Sequence, residues 1–457
     1  MTSGAATPTP DAPADGTFAL LEQASSDAVD ALRGMAFLAP GGILDLTLDG
    51  SRLTRLRIEL PPRQFLHLQS IGIDVDGDAD VAALTTVRAS SWYGAYEEKF
   101  DVARLLDFDH PAGTVLHTKA DEPAWVELSF RRPLKVRRLR LRNVGKEVAR
   151  RARGIRVVGT TLLRRTRVLY DGPLDLKAVR SIMAPLTAAA EDDPLLGRLL
   201  PAFELTLKAD YPAARKALAA VEDLDDADRR RFRDAVNARL LPARQRLWTI
   251  HGPQRSFRFW SDAEKARYLD FTLEVVAALR TLTPSVSLGF GSVLSAVRDK
   301  ALIPHDDDLD VIVAFEPHEA TTLAEGIARV EEHLRPQGYT VSGNFSAHRH
   351  VGRPGRKYID VFVGLFEGDQ VSWYPGARGA LTRDMMFPTR DVDLLGVPVP
   401  VPAQAEAYCE AVYGPTWNVP NPNFAHRWDA SAYSDISGKK PATAASDDAP
   451  DGPPADD

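Results

Sequence analysis

The sequence predicts a multidomain α+β protein with an N-terminal antiparallel β-sandwich of the jelly-roll type, a central helical segment and a C-terminal α/β domain with a mixed sheet. In residues 41–172, short segments alternate apolar and polar side chains, which is the pattern of half-buried strands. In residues 173–254, apolar residues recur three and four positions apart, as in amphipathic helices, and predict a helical linker region. In residues 255–425, helical patterns alternate with almost wholly apolar runs that are typical of inner strands.

Length and composition limit the classes of function. The chain has 457 residues, of which 44% are hydrophobic and 26% are charged, so it is long enough for two to three domains with buried cores. A net charge of -7 gives no general attraction for nucleic acid or anionic lipid, so any phosphate binding must be local. The single cysteine, Cys409, excludes an internal disulfide and a cysteine-based zinc cluster, and we expect it to fill a core position.

The two ends of the chain are expected to be unstructured. Residues 1–40 begin with a polar, Pro- and Ala-rich run and predict a disordered leader, with room for a short helix but without the features of a signal peptide. Residues 426–457 predict a disordered acidic tail. No run reaches the roughly 18 apolar residues of a membrane span, so we expect a cytoplasmic protein and leave peripheral contact with the inner face of the membrane open.

The sandwich prediction depends on alternating segments that Gly, Asp or Pro usually separates. Examples are ILDLTLDG from residue 43, RLTRLRIEL from residue 52 and KVRRLRLRNV from residue 135. Such segments are typical of an antiparallel sheet with one face in water.

Three stretches of this segment resemble the discoidin and fucolectin-like galactose-binding sandwich. They are ASSWYG at 89–94, LHTK at 116–119 and PAWVEL at 123–128. In the fucose-binding members a strand ends in Asn-Arg-x-Asp, whereas residues 142–145 of this chain read RNVG, so the fucose site is not intact. The resemblance implies the scaffold alone, and both docking of a different glycan and packing against the rest of the protein stay open.

The strongest chemical signal is GFGSVLSAVRDKALIPHDDDLD, residues 289–310. It follows a helix that a capping-box pattern at Ser261 and Glu264 predicts to run to about residue 282. Gly289, Gly291 and Ser292 form a turn between a short strand and a helix, where a glycine backbone can approach a phosphate closely. We therefore expect these three residues to bind substrate.

Four carboxylates stand together at the end of this stretch, at Asp306, Asp307, Asp308 and Asp310. Like charges this close require solvent, a cation or a cationic substrate. Asp308 and Asp310 are two residues apart at the start of the apolar run LDVIVAF, so they share one face of a strand and can chelate a hard cation. An EF-hand loop does not fit, because Val311 and Pro317 replace its Gly and its Glu. A solvated acidic turn remains an alternative.

A third carboxylate interrupts the second apolar strand, RKYIDVFVGLF, at Asp360. A charge in such a strand is costly unless it is paired or bound to a cation, so Asp308, Asp310 and Asp360 together predict a site for one or two Mg²⁺ (or Mn²⁺) ions. The segment before this strand is expected to be a loop that contacts substrate phosphate. Its basic and imidazole side chains are His348, Arg349, His350, Arg353, Arg356 and Lys357. An accidental zinc-like pair of His348 and His350, or a merely soluble loop, remains open.

The order of these residues is similar to the signature of the LicD and fukutin-related group within the nucleotidyltransferase fold. The shared features are the Gly-Ser helix start, Arg298, the Ile-Pro pair at 303–304 and the DDD-x-D cluster. Further matches follow in the same order, at IDVF (359–362), FP (387–388), LGVPVP (395–400) and YGPTW (413–417). The resemblance covers residues 255–425.

The resemblance implies transfer of a phospho-alcohol from a CDP-linked donor to a hydroxyl of a glycan or glycolipid. Known members handle phosphocholine or ribitol phosphate, and a glycerol-phosphate-like group is a related possibility in lipopolysaccharide or teichoic acid synthesis. By this resemblance Asp308, Asp310 and Asp360 are metal ligands, and Gly291 and Ser292 hold the donor phosphate.

The resemblance also assigns roles around this centre. Arg298 supports the acidic loop or a phosphate, and Asp306 lies behind the ligands or orients the acceptor hydroxyl as its base. His305 stands where the family commonly has Trp and is expected to affect the choice of alcohol or acceptor. Arg356 and Lys357 are expected to contact substrate.

Two other functions remain open at this stage. One is a glycan-binding or assembly protein without turnover, although the presence of all three strand carboxylates disfavours it. The other is a nucleotidyltransferase that modifies a protein or a small molecule.

Overall fold

The computed structural model describes residues 12–32, 41–77, 79–108, 114–120, 123–145, 147–373, 376–426 and 429–438. The chain divides into two compact units, one ending at Pro253 and the other beginning at Gln254. Both contain helices and sheets, in agreement with a multidomain α+β protein. Of the predicted leader and acidic tail, residues 1–11, 33–40, 427–428 and 439–457 lie outside the described residues.

The first unit contains a curled antiparallel sheet. Its strands and those of two small pairs are β1 (Ile43–Thr47), β2 (Arg52–Glu59), β3 (His67–Leu68), β4 (Ser70–Val75), β5 (Thr85–Ala89), β6 (Leu116–His117), β7 (Trp125–Arg142), β8 (Arg156–Thr161), β9 (Thr166–Asp171), β10 (Leu247–Thr249) and β11 (Gly252–Gln254). Seven strands form the main sheet in the order β1-β7-β2-β8-β9, and β4 and β5 also pair with β7.

Strand β7 joins the two halves of this sheet. Its first half pairs with β2 and β5 and its second half with β1 and β4, always antiparallel. Val126 and Leu128 in the first half and Leu139 and Leu141 in the second half are fully buried in the core of the unit, because within each half every second side chain faces the same side. The antiparallel sheet is confirmed, while its division into the two layers of a sandwich stays a prediction.

Helices surround a second core in the first unit. The helices of this unit are α1 (Ala12–Ala31), α2 (Val81–Leu84), α3 (Val102–Leu106), α4 (Gly172–Ala189), α5 (Pro194–Leu207), α6 (Tyr211–Ala219), α7 (Asp226–Asn237) and α8 (Leu240–Ala243). The short helices α2 and α3 pack on the core of the sheet, and the others contribute to the second core. The N-terminus of α5 follows from its sequence, since Asp193 caps it through the backbone N–H of Leu196 and Pro194 occupies its first turn. Leu21 of α1 is fully buried in the same core as Phe203 and Phe232.

The second unit combines a mixed sheet with helices. Its strands are β12 (Val286–Leu288), β13 (Asp310–Phe315), β14 (Thr340–Ser342), β15 (His348–Gly352), β16 (Ile359–Glu367), β17 (Gln370–Ser372), β18 (Arg390–Leu394) and β19 (Val397–Val401). Its helices are α9 (Asp262–Arg280), α10 (Phe290–Leu294), α11 (Leu323–Leu334), α12 (Arg383–Met386) and α13 (Ala405–Tyr413).

Six strands form the mixed sheet in the order β12-β13-β16-β15-β14, with β17 also paired to β16. The central strands β13 and β16 are parallel, and their neighbours are antiparallel to them. Both central strands are almost wholly buried, which explains why their sequences read as continuous apolar runs. The predicted mixed sheet is confirmed.

Helices α9 and α11 pack on this sheet. The predicted capping box is confirmed, because Ser261 and Glu264 bond to each other's backbone N–H at the start of α9. On α11, a Cβ at Gly326 would lie only 2.5 Å from a methyl carbon of Val363. Gly326 thus lets the helix backbone lie directly against β16.

Three smaller observations complete the fold. Cys409 is fully buried on α13, as expected of a core residue. Within the segment predicted as a tail, residues 430–433 form a 3₁₀ turn and Tyr433 is buried. None of the helices in the described ranges has the length and apolar character needed to span a bilayer.

Candidate active site

The carboxylates predicted on two strands lie side by side. Asp310 and Asp360 are register partners on the parallel strands β13 and β16. Register partners on neighbouring strands direct their side chains to the same face of a sheet. The sheet therefore brings together two acidic side chains that are separated by fifty positions in the sequence.

The acidic loop precedes β13 directly. Carboxylate oxygens of Asp306, Asp307 and Asp308 lie within 4.8 Å of one another. A hydrogen bond within the loop stabilises it, since the N–H of Asp307 donates to Asp306 Oδ1 at 2.9 Å. Lys357 forms an ion pair with Asp307 and is the cation that contacts this loop among the contacts described.

Burial and mutual repulsion change the titration of this cluster. Burial, and then the charge of Asp307, raise the pKa of Asp306 to about 6. Burial and the surrounding carboxylates raise the pKa of Asp308 and Asp310 well above the usual range. Burial opposes the charge of Lys357, but Asp307 and Asp308 outweigh it and raise the pKa of its ammonium group. One ammonium group leaves the cluster short of positive charge, which fits a divalent cation.

The Gly-Ser turn holds the first residue of β13. The N–H of Gly289 donates to the carbonyl of Asp310 at 2.9 Å, and the N–H of Asp310 donates to Ser292 Oγ at 2.7 Å. A Cβ on Gly291 would lie 2.7 Å from Asp306 Oδ2, so only glycine leaves room for that carboxylate. The helix begins at Phe290, so Gly291 and Ser292 lie in its first turn instead of in the turn before it.

Phe290 has a φ of +42°, which is rare for a residue with a side chain. Its N–H donates to the buried hydroxyl of Tyr408 at 2.8 Å, and its ring contacts that of Phe362. These contacts support the unusual backbone of the turn. The sequence had given no reason to assign Tyr408 a part in the site.

Tyr268 is a second residue that sequence reasoning missed. Its hydroxyl accepts from the N–H of Leu309 at 3.1 Å and donates to the carbonyl of Tyr358 at 2.8 Å. It therefore ties together the segments that lead into β13 and β16. The only signal in the sequence was one phenol in the apolar stripe of α9.

Two imidazoles lie on the other side of Asp360. His350 is its register partner on β15, and His350 Nδ1 is 2.6 Å from Asp360 Oδ1. His348 Nε2 is 3.9 Å from Asp360 Oδ2, and burial lowers the pKa of His348 to about 4. The expected loop is wrong for residues 348–352, which form a strand because they pair with β16 and bury both rings.

The remaining predicted residues are placed as follows. Arg298 pairs with Asp299 and donates to the carbonyl of Trp417 at 3.1 Å. Burial, and then the charge of Arg298, lower the pKa of His305, so that imidazole is neutral at physiological pH. Arg356 is exposed in the turn before β16.

The three predicted metal ligands fall into two neighbouring sets. Asp308 belongs to the loop set with Asp306 and Asp307, and Asp360 belongs to a set with His348 and His350. Asp310 lies between them in register with Asp360. Each set of three residues could hold a metal ion, and the role of the predicted trio stays a prediction.

A carboxylate cluster on adjacent parallel strands, next to a glycine turn, has the ligand chemistry that can hold a divalent cation and can let a phosphate approach the backbone closely. Residues 285–404 match the family model described as LicD/FKTN/FKRP, nucleotidyltransferase domain. The predicted resemblance to the LicD family is therefore confirmed over these residues, and the match supports a transferase of the LicD/FKRP type in general. The match contains every carboxylate described above. A search of curated proteins finds no match to the chain.

Proposed function

We propose that residues 255–425 form a Mg²⁺-dependent transferase domain that moves a phospho-alcohol from a CDP-linked donor to a hydroxyl of a glycan or glycolipid. The alcohol would be of the choline, ribitol or glycerol type. The observation that carries this proposal is the pairing of Asp310 with Asp360 on adjacent strands, next to the Gly-Ser turn that bonds to Asp310, inside the segment that matches the LicD family.

Asp308, Asp310 and Asp360 would hold one or two Mg²⁺ or Mn²⁺ ions. The raised pKa of Asp308 and of Asp310 supports this assignment, because a bound cation would relieve the repulsion that raises them. When bound, the cation neutralises charge on the phosphoanhydride oxygens of the donor.

The protein's own groups would position the substrates. The backbone of Gly289 and Gly291 and the hydroxyl of Ser292 would contact the donor phosphates, in a turn that carries no Cβ next to Asp306. Asp306 would orient the acceptor hydroxyl and accept its proton. Arg356 and Lys357 would add positive charge next to the transferred phosphate. Arg298 would have a structural role through its ion pair with Asp299 and its hydrogen bond to the carbonyl of Trp417.

A group of aromatic rings supports a nucleotide donor. The ring of Tyr413 lies 4.8 Å from that of Phe424 and 5.4 Å from that of His426, and His426 lies 5.2 Å from Phe290 of the turn. Burial, and then the charges of Tyr408 and Asp310, raise the pKa of Tyr413. Such rings can stack on a cytosine base. His305 would contribute to the choice of alcohol or acceptor.

The first unit would bind the acceptor. We propose that its sheet in residues 41–172 recognises the glycan and that the protein works in the cytoplasm at the inner face of the membrane. The hairpin between β8 and β9 supports membrane contact, because Leu162 and Leu163 are 61% and 76% exposed and Arg164 and Arg165 follow them. Exposed leucines beside arginines are suited to an anionic lipid surface.

The product released from the donor tests the reaction. Purified protein with Mg²⁺ and cell-envelope glycan is given a panel of CDP-alcohols and nucleoside triphosphates, and CMP and pyrophosphate are measured. We expect CMP from a CDP-alcohol, its loss in Asp308→Asn, and no loss in Asp391→Asn, which changes an exposed carboxylate of β18. Pyrophosphate release would instead indicate a nucleotidyltransferase. Saturable glycan binding without either product would indicate a binding protein.

A further inference from the structure

We propose that His348, His350 and Asp360 form a second metal site, which takes a borderline transition-metal ion such as Zn²⁺. This site differs from the proposed Mg²⁺ site in its nitrogen ligands, although the two would share Asp360. The proposal rests on the geometry of β15 and β16 and stands whether or not the protein is a transferase.

The backbone places three donors on one face of the sheet. His348 and His350 are two residues apart on β15, so their side chains point to the same side. Asp360 is the register partner of His350 on β16 and points to that side too. One ligand atom from each of the three side chains lies within 4.8 Å of the other two.

The distances are close to those of a metal-bound set. Zn–N and Zn–O bonds of about 2.0–2.1 Å in a tetrahedron separate the donor atoms by roughly 3.3 Å. The observed separations from the carboxylate of Asp360 are 2.6 Å for His350 Nδ1 and 3.9 Å for His348 Nε2. These values lie on either side of the expected one, so small side-chain shifts suffice for chelation.

Burial of the two imidazoles is the second observation. The side chains of His348 and His350 are 8% and 9% exposed. Their environment is aromatic, since Phe345 stacks on His348 at 4.1 Å and Tyr358 lies 4.4 Å from His350. Within the described part of the chain, His348 Nδ1 and His350 Nε2 have no hydrogen-bond partner. These unpartnered nitrogens face away from Asp360, whereas His348 Nε2 and His350 Nδ1 approach its carboxylate. Two imidazoles are thus held in a buried, aromatic setting with one nitrogen of each next to a carboxylate, as in a preformed metal site.

The ligand chemistry selects the ion. Mg²⁺ prefers oxygen ligands, which Asp308 and Asp310 supply, whereas two imidazoles and one carboxylate suit Zn²⁺ and its neighbours in the first transition row. Three protein ligands leave a fourth position for water or substrate. Because a carboxylate has two oxygens, Asp360 can serve both sites. A transition metal here would also fix β15 to β16 and orient Asp360.

Cobalt binding tests the proposal without reference to catalysis. Metal-free, untagged full-length protein is titrated with Co²⁺, whose visible absorption reports nitrogen ligands and low coordination number. We expect about one equivalent to bind with visible bands and to be displaced by Zn²⁺. The signal should be lost in His348→Phe, which keeps the stacking on Phe345, and in His350→Gln. It should persist in His318→Ala, which removes an exposed histidine.

Three outcomes would overturn the proposal. They are no visible Co²⁺ signal in the wild-type protein, an unchanged signal in both site variants, and loss of the signal in His318→Ala. If the site variants do not fold, pulsed electron paramagnetic resonance of Cu²⁺ bound to the wild-type protein decides. Coupling to two imidazole nitrogens supports the site, and its absence contradicts it.

The same measurements separate this proposal from the transferase proposal. Asp308→Asn should lose CMP release but retain the Co²⁺ bands. A wild-type protein that releases CMP with Mg²⁺ but shows no Co²⁺ bands refutes the second site alone. A protein that shows the bands but releases no CMP refutes the proposed reaction alone.

Discussion

At the scale of single residues, the site depends on a glycine without a side chain as well as on the polar side chains around it. Gly291 leaves the space that Asp306 Oδ2 occupies, and Ser292 fixes Asp310 through its backbone N–H. Tyr268 supplies one hydroxyl to both segments that carry the strand carboxylates. Each of these residues acts on the position of a carboxylate, so substitutions there should change the site without removing any charge.

Gly291→Ala should displace the acidic loop. The added methyl group would stand 2.7 Å from Asp306 Oδ2, so the loop must move, at a cost of about 1–3 kcal/mol in the free energy of unfolding. We expect CMP release to fall by about tenfold or more because the carboxylates lose their alignment. The matched control is Gly145→Ala, since a Cβ at Gly145 meets nothing within 4 Å. Equal effects of the two substitutions on unfolding in urea would contradict the prediction.

Tyr268→Phe should destabilise the protein without altering its charge. Removal of the hydroxyl leaves the N–H of Leu309 and the carbonyl of Tyr358 without this partner in a buried place, which costs about 1–3 kcal/mol. Tyr339→Phe is the comparison, because its hydroxyl bonds to the partly exposed Glu274. Urea unfolding should show a larger loss for Tyr268→Phe. A loss no larger than that of Tyr339→Phe would show that the hydroxyl does not hold the two segments together.

At the scale of elements, the loop at residues 306–308 and strands β13 and β16 concentrate negative charge that the folded chain only partly compensates. Three strands pair with these two, and the carboxylates of Asp310 and Asp360 cannot separate because the two residues are fixed in register. The loop is held on its other side by the bond from the N–H of Phe257 to the carbonyl of Asp306 at 2.7 Å. Protons or cations must therefore relieve the repulsion.

The metal-free protein should lose stability as the pH rises. In the folded chain, the pKa of Asp306 is about 6, and the pKa values of Asp308 and Asp310 are higher than usual. Above about pH 4 the folded chain therefore keeps protons on these groups that the unfolded chain has already released. The stability from these groups is complete below the unfolded pKa of about 4 and is lost as the pH rises through 6 and beyond. We expect the Tm of the wild-type protein to fall more steeply with pH than that of Asp308→Asn.

Magnesium should reverse this loss. Because more of the charge on these carboxylates is present at about pH 8 than at about pH 5.5, Mg²⁺ should raise the Tm more at the higher pH. Differential scanning fluorimetry at both pH values provides the measurement. An equal shift at the two pH values, or an Asp308→Asn variant that responds like the wild type, would contradict a cation site at this cluster.

The hairpin of β8 and β9 should bind anionic membranes. Burial of one leucine contributes about 1.5–3 kcal/mol, so Leu162→Ser with Leu163→Ser should weaken binding to phosphatidylglycerol vesicles by roughly tenfold or more. Co-sedimentation with vesicles is the measurement. Leu395→Ser changes another exposed leucine, at the turn between β18 and β19, and should have no effect. Binding that survives the double substitution would exclude the hairpin as the contact.

At the scale of the whole molecule, local patterns predicted the elements better than their contacts. Asp308, Asp310 and Asp360 could be proposed from sequence because each stands at an apolar run whose period is visible locally. His348 and His350 were expected in a loop because the run His-Arg-His is polar throughout. In the structure, Arg349 pairs with Glu331 and the two imidazoles are buried in a strand. Tyr268 and Tyr408 act through contacts with segments far along the chain, and no periodicity encodes such pairs.

The division of the chain into two units could not be predicted from the periodicity of the sequence either. The helices of residues 172–243 belong to the first unit, together with the antiparallel sheet. Sequence composition separates helical from strand-like segments, but which core each segment joins depends on packing. The acidic cluster lies wholly within the second unit, so its chemistry can be tested there by single substitutions.

The most direct test of the central claim is the rate of CMP release by Asp310→Asn at saturating Mg²⁺ and CDP-alcohol. The claim is that the carboxylates of β13 and β16 form the cation-dependent centre of a phospho-alcohol transferase. Asparagine keeps the shape of Asp310 and removes its charge, so we predict a fall of about 10²- to 10³-fold with the folded state retained. A variant that releases CMP at the wild-type rate would contradict the claim.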